Sequence, residues 1–404
     1  MDTKRKIIND PVFGFINISN DFIYDIIKHP YFQRLTRIKQ LGLTHLVYPG
    51  AQHTRMSHSL GAMYLMDEAI AQLRSKGHTI THEEGQAALA CILMHELGHG
   101  PFSHVLEDTL IQDIHHEEIS LLLMNRMNAE MDGKLDLAIA IFKDEYSKKF
   151  LHQLVSGQLD VDRLDYLRRD SFFTGVHEGN IGSARIIKML NIKDDRLVVE
   201  AKGIYSIENF LMARRLMYWQ VYLHKTALAA EKMLVNVLKR AHELSMQGRE
   251  LFASPALEYF LYHPVDRTYF LKDYQALEYF IDLDDNDIWS ALKVWAKYPD
   301  KVLSLLSESL INRDLFKIEI EQKPFSEEYL EEKKKQFAAK YAISLEEAAY
   351  LTSSDEISTN MYNEVDDSID ILYKDGSTKD IAEASDMLNI QLLAKKIKKY
   401  YFCF

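Results

Sequence analysis

Histidine and carboxylate residues gather in four short segments of the first 170 residues, at positions 53–58, 95–104, 115–118 and 160–170. Imidazole nitrogens and carboxylate oxygens are the donors that borderline or hard divalent metals accept in proteins. A metal held in this way lowers the pKa of bound water and polarises a phosphoryl oxygen. The residue types in these four segments therefore indicate a site for metal-dependent hydrolysis.

His95 and Glu96 stand at the end of the strongly apolar run GQAALACILM. We expect that run to be a largely buried helix, and a buried carboxylate beside an imidazole is costly unless it is paired or binds a metal. The alternative is an ordinary His–Glu pair at an exposed helix end. From these two residues alone, both interpretations stay open.

The same segment contains the pattern HExxH, because His95, Glu96 and His99 have the spacing of a zinc-protease helix. That chemistry needs both histidines on one face of a continuous helix. Gly98, Gly100 and Pro101 interrupt the helix near the second histidine. The extended form of the motif also fails, so a zinc protease is retained only as a minor alternative.

The four segments together resemble the HD-domain phosphohydrolase superfamily. The resemblance is to the branch that contains the vertebrate SAM-and-HD-domain deoxynucleoside triphosphate triphosphohydrolase and its bacterial relatives. It covers about residues 30–230, and its motifs follow in the expected order: QLG, YPGAxHTR with HSLG, HxLGHGPFSH, HE, DVDRLDYLRRD and YLHK. The combination is far more specific than HExxH.

The resemblance implies a single divalent metal, without fixing whether it is Mn, Fe, Zn, Ni or Mg. The implied ligands are His58, His95, Glu96 and Asp162. Glu96 is a departure, because the family has aspartate at this position. Glutamate keeps the charge and the oxygen donors but adds a methylene, and a shift of about 1 Å can disturb a metal site. Full activity, metal binding with reduced catalysis, and loss of catalysis are all open for this residue.

The resemblance also implies roles for residues around the metal. His116 would supply a proton to the leaving group, and the positions that accompany it in the motifs are His99, His104 and Glu107. The positions implied to bind a triphosphate are Arg55, Arg163, Tyr166 and Arg214. The positions implied to surround the sugar and base are Gln40, Leu41, Asp170, Tyr218 and Tyr222. Taken without the resemblance, Tyr218 and Tyr222 would rather be core residues of an apolar helix.

Long helices must position these groups, because the chain has only 8 Pro and 16 Gly in 404 residues. Thr81 and Glu84 form a capping-box pattern that predicts the start of one helix, and residues 207–244 predict another. Strands are expected at 196–200, 315–321 and 369–373. The predicted fold is mainly α. A helical HD-domain core would occupy residues 1–245, and a mixed α/β lobe of residues 246–404 would serve in packing or oligomerisation.

Composition excludes several other classes of protein. Lys and Arg total 48 against 60 Asp and Glu, a net charge of −12, which argues against strong non-specific nucleic-acid binding. Only 2 cysteines, no apolar leader and no long apolar run predict a cytoplasmic protein without membrane spans. The expected partners are a nucleotide substrate, best a dNTP cleaved to deoxynucleoside and triphosphate, and further copies of the same chain. A nucleotide-binding regulatory protein whose catalysis is impaired by Glu96 is the alternative.

Overall fold

Helices dominate the structure, a computed structural model that describes residues 6–18, 20–102, 104–107, 109–272, 274–359, 368–386 and 397–404. The mainly helical class predicted from the sequence is confirmed, and short strands occur both before and after residue 246. In chain order the helices of the described residues are α1 (Asp21–Lys28), α2 (Pro30–Arg34), α3 (Arg55–Ser75), α4 (His82–Met94), α5 (His104–Glu107), α6 (His116–Glu130), α7 (Asp136–Phe142), α8 (Lys149–Val155), α9 (Val161–Thr174), α10 (Ser183–Met189), α11 (Ile204–Met217), α12 (Lys225–Met246), α13 (Pro255–Tyr262), α14 (Arg267–Lys272), α15 (Tyr274–Asp282), α16 (Asp285–Trp295), α17 (Lys301–Asn312), α18 (Glu327–Tyr341), α19 (Leu345–Ala348) and α20 (Ile381–Ala384).

The strands of the described residues form small separate sheets rather than one central sheet. Their bounds are β1 (Lys6–Asp10), β2 (Gly14–Ile18), β3 (Ile111–Gln112), β4 (Leu190–Lys193), β5 (Arg196–Glu200), β6 (Val265–Asp266), β7 (Ile318–Glu321), β8 (Ser353–Thr359), β9 (Asp370–Leu372), β10 (Thr378–Asp380) and β11 (Ile397–Cys403). The sheet orders are β1-β2, β10-β9-β5-β4, β7-β11-β8 and β3-β6. The strands expected near 196–200, 315–321 and 369–373 are all present, as β5, β7 and β9.

The core is built around α4, in which every residue from 87 to 94 is buried. Helix α3 packs against both α4 and α9, so these three helices form the centre of the N-terminal part. Such all-round burial matches the uninterrupted apolar sequence of α4, because a helix that is apolar on every face must be covered on every face.

The starts of the central helices are fixed by side-chain caps. Thr54 caps α3, and the predicted box of Thr81 with Glu84 caps α4. Asp160 caps α9 by accepting a hydrogen bond from the backbone N–H of Arg163 at 2.7 Å. Caps satisfy N–H groups that have no partner inside the helix and thereby fix the residue at which it begins. The first turns of α3 and α9 are thus held in defined places.

The N-terminal strands correct the expectation that the first 245 residues are essentially helical. β1 and β2 form an antiparallel hairpin in which Asn9 faces Phe15. Asp10 Oδ1 accepts hydrogen bonds from the N–H groups of Val12 and Phe13, at 2.9 Å each, and so closes the turn. The apolar residues at positions 7, 8, 15 and 16, on either side of a turn that contains Pro and Gly, were a signal that the helical interpretation overlooked.

The single helix predicted over 207–244 is also corrected. α11 ends at Met217, a π-helical turn follows at Tyr218–Tyr222, and α12 begins at Lys225 after His224. No Gly or Pro lies at this break, so the apolar periodicity alone predicts one continuous helix. π-helical turns inside helical segments frequently occur at functional sites.

The C-terminal part packs its last strand inside a sheet. β11 lies between β7 and β8, and Tyr401, Phe402 and Cys403 are buried. The aromatic end of the chain therefore packs against the chain's own fold. Apolar side chains from both sides of residue 246 join one buried cluster, and the domain boundary there stays a prediction. Among the described residues, no helix is long and apolar enough to cross a membrane.

Candidate metal and substrate site

The three central helices bring four of the predicted ligands together. His58 lies in the first turn of α3, Asp162 lies in the first turn of α9, and His95 and Glu96 directly follow the last residue of α4. One donor atom from each of these four residues lies within 4.8 Å of the other three. Helices that pack against one another thus gather side chains separated by more than 100 residues in sequence.

The donor atoms surround one point. His58 Nε2 is 2.9 Å from Asp162 Oδ1 and 3.7 Å from Glu96 Oε1. His95 Nε2 is 3.3 Å from Glu96 Oε1 and 3.6 Å from Asp162 Oδ1. Two imidazoles and two carboxylates at these separations have the composition of a site for one divalent cation.

The ring nitrogens support this interpretation. The Nε2 atoms of both His58 and His95 are buried and form no well-aligned hydrogen bond, although the carboxylates of Asp162 and Glu96 lie close to them. Their other nitrogens are engaged, since His58 Nδ1 donates to Asp165 at 2.6 Å and His95 Nδ1 donates to the carbonyl of Ile92 at 2.5 Å. Histidines that bind metals have the same arrangement, with one nitrogen anchored and the other directed at the ion. The residues therefore fit a metal.

The charges at this point are strongly coupled. Burial alone would lower the pKa of His58, but the carboxylates of Asp162 and Asp165 outweigh it and raise that pKa to about 9. Burial would raise the pKa of Glu96, but the positive charges of Arg55 and the nearby histidines hold it well below its usual value. Two negative carboxylates facing imidazole nitrogens form a site that attracts positive charge.

The two carboxylate oxygens of Glu96 face different partners. Oε1 faces the imidazoles of His58 and His95, and Oε2 forms a buried ion pair with Arg55 Nη1. Arg55 was expected to bind phosphate, but in this structure its guanidinium pairs with the carboxylate of Glu96. The glutamate side chain therefore links the predicted metal ligands to a predicted phosphate-binding residue.

A second group lies beside the first. The rings of His99 and His116 stack with centroids 3.9 Å apart, and His116 Nδ1 is 3.2 Å from Glu107 Oε1. His99 Nε2 is 3.6 Å from Glu96 Oε2, which joins the two groups. His104 begins α5, but its side chain lies outside the described part of the chain.

These positions weaken the zinc-protease interpretation. α4 ends at Met94, so His95 and His99 do not share a face of one continuous helix. The two histidines also fall in different clusters, His95 with Asp162 and His99 with Glu107 and His116. The HExxH spacing is therefore present in the sequence, but its two histidines do not lie on the continuous helix that a zinc protease requires.

The predicted phosphate-binding arginines on α9 and α11 keep unused donors. Arg163 forms an ion pair with Asp160, and Arg214 Nη1 donates to Gln158 Oε1 at 2.9 Å. The Nε atoms of both arginines are buried and have no hydrogen-bond partner. Burial raises the pKa of the neighbouring Tyr166, which keeps its hydroxyl protonated as a donor. Positively charged side chains with spare hydrogen-bond donors thus lie beside α9, which contributes Asp162 to the cluster.

The predicted sugar-side residues form a connected network. Asp170 is buried and accepts hydrogen bonds from Tyr222 Oη and from His53 Nε2, both at 2.8 Å. Tyr222 also makes edge contacts with the rings of Tyr166 and Tyr218, whose centroids lie 5.9 and 5.4 Å away. The π-helical turn carries Tyr218 and Tyr222 toward α9, so these tyrosines are not simply core residues of a regular helix.

Gln40 and Leu41 precede this network in the chain and lie next to it. The backbone N–H of Gln40 donates to the carbonyl of His53 at 3.0 Å, and the Gln40 side-chain oxygen is buried and has no partner. Leu41 is partly buried against the core. The sequence interpretation did not single out Asp165, although it stands three residues after Asp162 on the same helix and contacts His58 directly. That i, i+3 spacing was the available signal.

A helical fold that gathers histidines and carboxylates in one buried cluster is typical of metal-dependent hydrolases. Residues 181–254 match the family model described as the HD associated region. The structure superposes with a TM-score of 0.97 on a crystal structure of a phosphohydrolase from Bacteroides thetaiotaomicron, which is 66% identical and aligns over 99% of this chain and 100% of that one. The chain therefore belongs to the HD-domain phosphohydrolase superfamily, whose members depend on a metal.

Two sequence relatives extend the comparison. An uncharacterized protein of Bacillus subtilis is 33% identical over 78% of this chain and 72% of its own length. A Dictyostelium discoideum homologue of the deoxynucleoside triphosphate triphosphohydrolase SAMHD1 is 29% identical over 59% of this chain. This chain spans only half the length of that homologue, so the named activity is a property of the relative.

Proposed function

We propose that this protein is a metal-dependent phosphohydrolase of nucleotides, and that its best substrate is a dNTP cleaved to deoxynucleoside and triphosphate. One observation carries the proposal: the four-residue cluster of His58, His95, Glu96 and Asp162 adjoins two arginines with spare buried donors. A polyphosphate needs both a polarising cation and positive side chains along its length.

The cluster of two imidazoles and two carboxylates would hold the metal. When bound, a divalent cation there would polarise a phosphoryl oxygen and make bound water more acidic. Its identity among Mn, Fe, Zn, Ni and Mg is part of the proposal to be tested, and the two nitrogen donors favour a transition metal over Mg.

The arginines and tyrosines would orient the substrate. Arg163 and Arg214 would bind the phosphate oxygens through their planar guanidinium groups, and Tyr166 would add a hydroxyl donor. Arg55 would reach phosphate while remaining paired with Glu96.

The nucleoside would lie toward the C-terminal end of α9, beyond the arginines that bind the phosphates. Asp170, held by Tyr222 and His53, would accept a hydrogen bond from the sugar. Gln40 and Leu41 would pack closely against the sugar and exclude a 2′-hydroxyl, and Tyr218 would contact the sugar or base.

His116 would deliver the proton to the leaving oxygen. Glu107 accepts from His116 Nδ1 and so fixes the ring, and an imidazole held in this way can transfer a proton near neutral pH. His99 stacks on His116 and restricts its rotation. His104 would act with these residues, as the sequence resemblance implies.

A second candidate is a nucleotide-binding regulatory protein with impaired catalysis. It is favoured by the ion pair of Glu96 with Arg55, which engages one carboxylate oxygen and one phosphate-binding residue with each other. In this case Glu96→Asp should raise triphosphate release sharply, whereas an unchanged rate would argue that Glu96 does not limit turnover.

The proposal is tested with the purified full-length chain by metal analysis followed by turnover of a panel of dNTPs and NTPs. Products are separated so that inorganic phosphate is distinguished from triphosphate. We expect triphosphate and deoxynucleoside from dNTPs and little turnover of NTPs. Release of single phosphates, or peptide cleavage that survives Asp162→Ala, would overturn the proposal.

Two further proposals concern the whole protein. We propose a cytoplasmic location, supported by two buried thiols that take part in no disulfide. We also propose a homo-oligomer, supported by the exposed side chains of Ile7 and Phe15 on one face of the hairpin. Light scattering after size-exclusion chromatography measures the oligomeric state, and a monomer at all concentrations would contradict it.

A further inference from the structure

The proposed metal ligand His58 contacts a carboxylate through Nδ1, the ring nitrogen that does not face the proposed metal position. Its side chain is fully buried, and Nδ1 lies 2.6 Å from Asp165 Oδ2. An ionised carboxylate only accepts hydrogen bonds, so the proton of the neutral ring must be on Nδ1. The lone pair of Nε2 is then directed toward Glu96 and Asp162, as a metal ligand requires.

Asp165 is held in turn by a buried arginine. Arg169 Nε donates to Asp165 Oδ2 at 2.8 Å, and Arg169 Nη2 donates to Asp165 Oδ1 at 2.9 Å. Neither side chain is exposed to solvent. A bidentate pair of this kind fixes orientation as well as charge.

The chain of contacts continues into the N-terminal hairpin. Arg169 Nη1 donates to Asp10 Oδ2 at 2.8 Å, and Asp10 is itself buried. The other oxygen of Asp10 accepts from the backbone of Val12 and Phe13 and closes the turn between β1 and β2. Each carboxylate oxygen along this path therefore has a donor, and the path leads from the hairpin turn to a metal ligand.

Helix α3 leaves space for the pair at Gly61, one turn after His58. A Cβ atom at position 61 would lie 2.0 Å from Asp165 Oδ1 and 2.1 Å from Arg169 Nη2. No side chain fits there unless the ion pair moves. The helix that carries His58 is thus shaped around the ion pair that holds His58.

We infer that Asp165, Arg169 and Asp10 are positioning residues for the metal site, and that the N-terminal hairpin stabilises the orientation of His58 through them. This inference rests on the proposed function, because it concerns the same metal. The supporting contacts run from His58 through α9 to Asp10 in the N-terminal hairpin. Asp165, Arg169 and Asp10 act through His58 and are not themselves metal ligands.

The test measures the affinity of the purified full-length protein for Mn²⁺ alone, by electron paramagnetic resonance of the free ion. We expect Asp165→Asn to weaken Mn²⁺ binding by about 10- to 100-fold, the usual effect of removing such a partner. Asp10→Asn should weaken it in the same direction by a smaller factor, because the amide oxygen of the new side chain can still accept the hydrogen bonds of the turn.

Glu84→Gln is the matched control. Glu84 is also buried and ion-paired, with Lys148 Nζ at 2.7 Å, but it lies at the opposite end of α4 from His95. The control should lower thermal stability and leave Mn²⁺ affinity unchanged. Wild-type affinity in folded Asp165→Asn and Asp10→Asn, or an equal loss in Glu84→Gln, would overturn the inference. Failure of the wild-type protein to bind Mn²⁺ or any other divalent cation would instead overturn the proposed metal site, and the positioning role with it.

Discussion

At the residue scale, Glu96 connects the predicted metal ligands with Arg55. Its side chain is nearly inaccessible and contacts imidazoles with one oxygen and Arg55 with the other. An aspartate would be shorter by one methylene, which would move both carboxylate oxygens away from these partners. The sequence shows the residue type, but only the structure shows that its two oxygens serve different partners. The resemblance predicted four ligand positions, and the structure brings their donor atoms together. Asp165 was overlooked because it contacts His58 rather than the centre of this cluster.

His116 provides a test of the proton-donor role. We expect His116→Gln to lower kcat by about 10²- to 10⁴-fold, the usual contribution of general acid catalysis. The metal proposed for the four-residue cluster should be retained, because His116 belongs to the separate group with His99 and Glu107. The measurement is steady-state dNTP hydrolysis together with metal stoichiometry.

The neighbouring His115 is the control for this experiment. Its side chain is 80% exposed, so His115→Gln should retain wild-type kcat. Equal activity of the two variants would show that His116 does not transfer the proton.

At the element scale, the ends of helices position the side chains of the candidate site. Capping patterns in the sequence correctly predicted the start of α4, and Asp160 caps α9 so that Asp162 points at the cluster. The π-helical turn at Tyr218–Tyr222 was not predictable from periodicity, because its residues continue the apolar pattern of a regular helix. The hairpin had a local signal in its apolar residues and its turn. The break before α12 had none, because it depends on contacts with distant segments such as the hydrogen bond from Tyr222 to Asp170.

Gly98 tests how closely the loop after α4 must pack. A Cβ atom there would lie 1.9 Å from the carbonyl oxygen of His116 and 2.4 Å from the backbone nitrogen of Ser120. We expect Gly98→Ala to lower the free energy of unfolding by about 3 kcal/mol, since overpacking against backbone cannot relax through side-chain motion. Urea denaturation measures this change.

Gly182→Ala is the control for steric crowding. The nearest atom to a Cβ at position 182 is 3.9 Å away, so the change should stay within about 1 kcal/mol of wild type. Equal destabilisation by the two substitutions would contradict the close-packing explanation.

At the scale of the whole molecule, residues from the C-terminal part help to hold the N-terminal site. Asp285 at the start of α16 accepts a hydrogen bond from the backbone N–H of Lys39 at 3.0 Å, next to Gln40. Arg37 likewise pairs with Asp284 at 2.5 Å. Asp284 caps α16, but nothing in the sequence indicated that this helix start would contact the segment before Gln40.

Asp285 also makes stability depend on pH. Burial raises its pKa to about 6 from an ordinary value of 3.8. Because the folded state holds this proton more tightly than the unfolded state, the contribution to stability is full below about pH 4 and is lost as pH rises through 6. We expect Asp285→Asn to lose less thermal stability than the wild type between about pH 5 and pH 7.5. Parallel melting curves measured across this range would contradict the assignment.

At the proposed site, one metal would be held by residues of α3 and α9 and by the two residues that follow α4. The most direct measurement is the metal content per chain of the purified protein and of Asp162→Ala, by plasma mass spectrometry, with dNTP hydrolysis assayed on the same samples. We predict about one divalent ion per wild-type chain, and loss of both the ion and triphosphate release in the variant. A variant that keeps the ion or releases triphosphate at the wild-type rate would contradict the central claim.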